Sequence, residues 1–251
     1  MSTLESHGRG SATEQAGEPR AFETVLQHLT EQILDGRLTV GDRLPPEREL
    51  AQQLGVSRPA IREAIRTLEA QGVLASRVGS GASAGTHVIS ERSQALQRLL
   101  RLQVTLAQFP LHEVVVARIA LERGSAALAC SSIDEDGLAA LRGLLERMDQ
   151  AEDRDEFNEL DTRFHVGIAQ HSGNTMLADL TQAVRESLRT PILEAERRVE
   201  DWEALRVRLR HDHHGILEAI AAGDASLAER RMEEHIRHAY GLLPLGGQPI
   251  D

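Results

Sequence analysis

The sequence predicts a mainly α protein, an N-terminal winged helix-turn-helix followed by a C-terminal antiparallel all-α bundle of about seven helices. Three observations carry this. Two short helical patterns joined by a glycine and followed by two β-rich runs fill residues 20–90. Beyond residue 91 the apolar positions repeat only at helical spacing. Aromatics are 2% of 251 residues, which leaves the core to Leu, Ile, Val and Ala in a chain long enough for two modest domains.

Taken in order, residues 1–19, "MSTLESHGRGSATEQAGEP", lack the apolar core of a signal sequence and read as a disordered tail. From Phe22, the positions Val25, Leu26, Leu29, Ile33 and Leu34 recur at helical spacing until Gly36 stops the helix. In "ERELAQQLGVSRPAIREAIRTLEAQG", Leu50, Ala51 and Leu54 form a short amphipathic face and Gly55 allows a sharp turn. Ser57 caps the next helix, which buries Ile61, Ala64, Ile65 and Leu68 and ends at Gly72. "VLASRV" and "THVI" read as strands joined by "GSGASAG". This order of elements is that of a winged helix-turn-helix, whose second helix offers its N-terminal side chains to the major groove. A plain helical hairpin with a solvated Arg face is the weaker alternative.

The stretch "LPPERELAQQLGVSRPAIREAIRTLEAQGVL" resembles the DNA-binding motif of the GntR superfamily of bacterial repressors, over about residues 20–90. The resemblance implies a double-stranded DNA operator contacted by Arg48, Ser57, Arg58 and Arg62, with the wing around Gly79 and Gly81 in the minor groove. "GASAGTH" makes that wing longer than is usual in the family. The net charge of −11 does not oppose DNA binding, because the acidity lies in residues 91–251 while residues 20–90 balance eight Arg against eight acids. A neutral domain with Arg on one face still attracts phosphate, since the local field decides.

Residues 91–245 form the second predicted domain, an effector-binding and dimerisation unit with helices at about 93–107, 111–130, 134–150, 153–171, 175–198, 202–222 and 224–241. Turn chemistry at Pro110, Ser172-Gly173-Asn174 and Gly223-Asp224 separates them, and the short connections suit antiparallel neighbours. No run approaches the roughly 20 apolar residues of a spanning helix, and the lone Cys130 has no internal disulfide partner. The expected location is the cytoplasm, with no membrane contact.

Within "RHDHHGILEAIAAGD", three histidines compress into four positions, and helical phase separates them. At about 100° per residue, His213 shares a stripe with Trp202, Leu205, Leu209, Ile216 and Ile220; His211 lies opposite and His214 on the flank. The same exercise places His235 among Ala228, Met232, Ile236 and Ala239, and Asp161 among Phe157, Phe164 and Ile168 with His165 one turn on. A buried carboxylate is costly unless paired or bound to metal. One Asp and three inward His suit a divalent metal ion that accepts imidazole and carboxylate, Zn²⁺ first, with Ni²⁺ or Mn²⁺ as alternatives. The rival is an acid–imidazole network without an ion. The second helix of the bundle carries Arg118 and Glu122 on its inward stripe. They either pair at i, i+4 or leave Arg118 as a cation for an effector carboxylate.

"DTRFHVGIAQHSGN", "DHHGILEAIAAGD" and "RMEEHI" resemble the all-helical FCD-type effector domain of the FadR branch of the same superfamily, over about residues 93–241. The resemblance implies that Asp161, His165, His213 and His235 hold a metal, that Arg118 stands beside a small organic acid, and that the chain works as a homodimer on an inverted repeat. The function expected is a ligand-responsive transcription regulator, a repressor. The alternatives are a metal-dependent enzyme, against which there is no evident inward Glu beside the ligands to act as base, and a regulator whose metal is only structural.

Overall fold

A computed structural model describes residues 18–77, 79, 84–89, 94–106 and 108–243 of the chain. Residues 1–17 of the expected tail, and Gly81 of the expected wing tip, lie outside the described residues. The chain divides into two compact units, Met1–Ala95 and Leu96–Asp251.

In the first unit, α1 (Glu18–Leu34), α2 (Glu47–Leu54) and α3 (Arg58–Ala70) precede the strands β1 (Leu74–Arg77) and β2 (Gly85–Val88). Helix α1 starts at Glu18, so Glu18 and Pro19 belong to a helix and not to a tail. Both α1 and α2 pack on α3. Their shared core contains Val25, Leu29, Leu50, Ile61, Ile65, Leu68, Leu74 and Val88. Gly55 makes the turn between α2 and α3 with φ 65°, in the left-handed region that favours glycine. Ser57 Oγ then accepts from the Ala60 amide and starts α3. The strands pair antiparallel from Leu74↔Val88 to Arg77↔Gly85. The loop before α2 adds to this hairpin, because the Gly41 and Leu44 amides donate to the Val88 and Thr86 carbonyls and the Val88 amide donates to Asp42.

In the second unit the helices are α4 (Gln94–Thr105), α5 (Leu111–Ser132), α6 (Glu135–Gln150), α7 (Arg154–Gln170), α8 (Thr175–Glu196), α9 (Trp202–Ala221) and α10 (Ala225–Leu242). Helix α5 packs against α7, α8, α9 and α10, so its inward residues meet those of four neighbours. Side-chain caps set several starts. Asp134, Asp153, Asn174, Asp201 and Asp224 each accept amide hydrogen bonds from the first turn of the helix that follows. Helix α8 continues through Pro191. Where α6 meets α7 the contact is close, since a Cβ on Gly167 would lie 2.8 Å from a Leu141 methyl. The core below includes Phe157, Leu160, Phe164, Ile168, Leu188, Ile216 and Ile236. Each fully buried side chain of this kind stabilises the fold by about 1.5–3 kcal/mol.

Candidate metal centre and nucleic-acid interface

In the first unit, burying Ala60, Ile61, Ala64, Ile65 and Leu68 turns the opposite side of α3 outward. Arg48, Ser57, Arg58 and Arg62 are all exposed, and Gly79 is exposed with φ 156°. Glu47 at the start of α2 lies 3.8 Å from Arg58 and 4.0 Å from Arg62. Pairs so long and so exposed contribute about 0–1 kcal/mol, so both guanidiniums are available to a phosphate or a base edge.

In the second unit, Asp161, His165, His213 and His235 come together from α7, α9 and α10, with one potential ligand atom from each inside a span of 4.8 Å. The three histidines are buried. The phase argument for α9 agrees with the structure: the His213 side chain is wholly buried, that of His211 is 84% exposed, and His214 is turned outward onto Asp149. Asp161 Oδ1 lies 3.0 Å from His213 Nε2 and 3.5 Å from His165 Nε2, and the two imidazole nitrogens are 3.3 Å apart. Metal bonds of about 2.0–2.1 Å put neighbouring tetrahedral ligands about 3.3 Å apart, close to the spacing of these three donors, and a small shift brings the fourth, His235, into the same set. Burial, with a neighbouring histidine, lowers the His235 pKa to about 3, and burial also lowers that of His213. Neutral imidazole is the form a metal requires.

Partners around the cluster hold its members in place. His165 Nδ1 is 2.6 Å from Glu122 Oε2, and His235 Nδ1 faces Asp212 at 3.9 Å. The His165–Glu122 contact is of the carboxylate–histidine kind that orients a ligating imidazole, whereas Asp212 acts on His235 only through its charge. The sequence reading finds no inward Glu beside the ligands. Glu122 corrects that, although it meets the ring nitrogen of His165 away from Asp161 and so positions the ring. Arg118 Nε donates to Glu122 Oε1 at 2.8 Å, the i, i+4 pairing named among the alternatives, and both residues are buried.

Sequence reasoning missed Arg185. It is 2% exposed, donates through Nη2 to Asp161 Oδ2 and lies 3.7 Å from Glu122 Oε1. Its signal was there to find, since Thr181, Arg185, Leu188 and Ile192 form one inward stripe on α8. Burial would raise the Asp161 pKa, but the Arg185 guanidinium outweighs it and holds the carboxyl well below its usual range. Burial likewise opposes ionisation of Glu122, and Arg118, His165 and Arg185 together keep it ionised. Before any ion is added, two carboxylates therefore face two guanidiniums beside the three imidazoles.

Comparison with known proteins locates both units. The FCD domain family matches residues 113–238, and the gntR family of bacterial regulatory proteins matches residues 21–83. The chain is 29% identical to a putative L-lactate dehydrogenase operon regulatory protein of Escherichia coli, over 88% of this chain and 85% of that one. It is 30% identical to the HTH-type transcriptional regulator LutR of Bacillus subtilis, over 84% and 95% respectively. Among solved structures it is similar to a Streptococcus agalactiae GntR protein, with a TM-score of 0.55 at 25% identity over 86% of this chain and 98% of that one.

Proposed function

We propose how this chain, which belongs to the GntR family of bacterial regulatory proteins and carries an FCD domain, couples a buried polar centre to DNA. It is a ligand-responsive DNA-binding transcription regulator and not an enzyme, as its relatives are regulators. It acts as a homodimeric repressor in the cytoplasm, binding an inverted repeat through Arg48, Ser57, Arg58 and Arg62, with the wing at Gly79 and Gly81. No helix among the described residues is long and apolar enough to cross a membrane.

Asp161, His165, His213 and His235 hold one divalent ion, Zn²⁺ by the ligand set, with Ni²⁺ or Mn²⁺ as alternatives. When bound, that ion supplies a Lewis acid for a ligand carboxylate. The observation that carries the acid-sensing reading is charge balance. Asp161 and Glu122 already offset Arg118 and Arg185, so a divalent ion adds two uncompensated positive charges to a buried site. An anionic effector relieves that cost and a neutral one does not. Arg118 and Arg185 stand on the same side of the balance and favour the same carboxylate, and the relative named for an L-lactate dehydrogenase operon supports a small organic acid as the class. Effector binding changes DNA affinity to the extent that it favours one arrangement of the helices over another.

A thermal-shift screen of small organic acids, run with metal and with chelator, followed by operator gel shifts, tests this reading. The expected result is an acid that stabilises only the metal-loaded protein and changes its operator affinity. Metal binding with no acid response would leave the ion as a structural staple and refute the sensing role.

A further inference from the structure

The face of the wing hairpin that points away from the helices carries charge that no described residue answers. Leu74 and Val88 turn one side of the two strands into the core, and alternation along each strand puts Ala75, Arg77, Gly85 and His87 on the other. Arg43 joins this outer face, since it bridges to His87 while Leu44 beside it is buried. Gly85 has no side chain, and Arg43 fills the gap: a Cβ at Gly85 would lie 2.6 Å from Arg43 Nε. Arg77 is the cross-strand partner of that same glycine. Residues directly opposite each other stand about 4.5–5.5 Å apart at Cβ, so two exposed guanidiniums share the outer face at one residue pair, the last of the ladder on the wing side. The ion pairs of this unit join Arg37 to Asp35 and Arg58 and Arg62 to Glu47, and none among the described residues engages Arg43 or Arg77. Asp42, next in sequence, is held by the Thr39 amide and hydroxyl. Like charges that face each other across a strand pair repel, and an anion that contacts both removes that cost.

We propose that Arg43 and Arg77 form a phosphate clamp at the wing end of the hairpin, which grips the DNA backbone beside the groove that the wing enters. The inference rests on the DNA-binding reading of this unit and adds to Arg48, Ser57, Arg58 and Arg62 a contact of a different kind. Position favours it. Arg43 lies in the loop that leads into α2, shortly before Arg48, and Arg77 stands just before Gly79, so the pair joins the two elements assigned to the duplex. A phosphate suits two guanidiniums, because each presents paired N–H donors to its oxygens. A side chain laid across the sheet is placed for a backbone that passes over that face, whereas reading a base edge requires entry into the groove. Gly85 is required twice over: its φ of 120° favours glycine, and any side chain there would displace Arg43. Such a clamp fixes orientation on the duplex and carries no sequence information.

Salt titration of DNA binding by the full chain tests this, with a mixed-sequence duplex of about 25 base pairs as the probe, because each phosphate contact adds about 0.9 to the slope of log affinity against log salt. Arg43→Gln and Arg77→Gln should each lower the magnitude of that slope by about 1. At low salt each should also weaken binding by about tenfold, to the same degree on duplexes of different sequence. Arg43→Lys and Arg77→Lys keep the charge and should keep most of the slope. Arg37→Gln removes an equal charge from the same unit, outside the clamp, and should leave the slope near the parent's. A parental slope in either Gln variant of the clamp, or the same slope loss in Arg37→Gln, would overturn the clamp while the DNA-binding reading stands. So would equal losses in the Lys and Gln variants, which would mean that Arg43 and Arg77 act through packing. Failure of the parent to bind any duplex would overturn the DNA-binding reading together with the clamp.

Discussion

Replacing each of the three clustered histidines by Ala is expected to give three proteins of which only one has lost its response to metal. His213 is wholly buried with Nε2 3.0 Å from Asp161 Oδ1, whereas His211 is 84% exposed and His214 is bonded to Asp149 on the surface. A metal that binds only the folded state stabilises it by mass action, by about 2.7 kcal/mol at a free concentration 100 times its Kd. For a domain of roughly this size each kcal/mol moves Tm by about 2–4 °C, so zinc should raise the parent's Tm by about 5–11 °C. His213→Ala should lose most of that increment and show reduced metal by elemental analysis. The increment is the proper readout. Removing the imidazole also takes away its packing against Phe157 and Phe164 and lowers Tm without metal. His211→Ala and His214→Ala should keep both the increment and the stoichiometry. Equal loss in all three, or a full increment in the His213 variant, would refute the assignment of α9's inward face.

Three further outcomes are expected. Arg58→Ala or Arg62→Ala should weaken operator binding by about 1–3 kcal/mol in a gel-shift titration at fixed salt, with metal content unchanged, and an unaltered affinity would remove that residue from the interface. Arg185→Met strips Asp161 of its buried partner, and urea denaturation in chelator should show a loss of about 3–5 kcal/mol; a loss below about 1 kcal/mol would mean that Asp161 is balanced elsewhere. Finally, the metal-free protein should lose stability on acidification. The folded pKa of His213 and His235 lies below the ordinary 6.5, so the folded state binds fewer protons, and the stability present above pH 6.5 is lost as pH falls toward His235's value of about 3. Denaturation midpoints between pH 8 and 5 measure this, and His235→Gln should flatten the slope.

The fold was legible because this chain obeys local rules almost everywhere. Asp134, Asp153, Asn174, Asp201 and Asp224 stand at helix starts and cap them, and apolar residues repeat at helical spacing with few aromatics to confuse the pattern. Gly55 and Ser57 did the same for the helix-turn-helix. What escaped was non-local. The pairing of Gly41, Asp42 and Leu44 with β2 joins two segments about forty residues apart through backbone atoms, and no side-chain pattern announces it. Pro191 would ordinarily end a helix, yet α8 runs on to Glu196.

The centre was legible for a different reason. Asp161, His165, His213 and His235 are polar residues on otherwise apolar stripes, and a polar residue that breaks a stripe is visible from sequence because burying it demands a reason. Arg118 and Glu122 showed the same anomaly on α5, but sequence alone could not say whether they face each other or a ligand. The structure has them paired at 2.8 Å. Arg185 and Glu196 break the inward face of α8 in the same way. They went unread because "AVRESLRT" and "EAERRVE" surround them with charges that look like a solvated surface. Once α8 is in phase, Thr181, Arg185, Leu188, Ile192 and Glu196 fall on its buried side, and each polar member of that set needs a partner. Arg185 has Asp161. Thr181 Oγ1 and Glu196 Oε2 on α8 have no hydrogen-bond partner among the described residues, and neither have Asn158 Oδ1 on α7, Trp202 Nε1 on α9 and the Tyr240 hydroxyl on α10. Polarity buried on four helices around the centre must be answered by water or by a ligand, which an apolar staple site would not require.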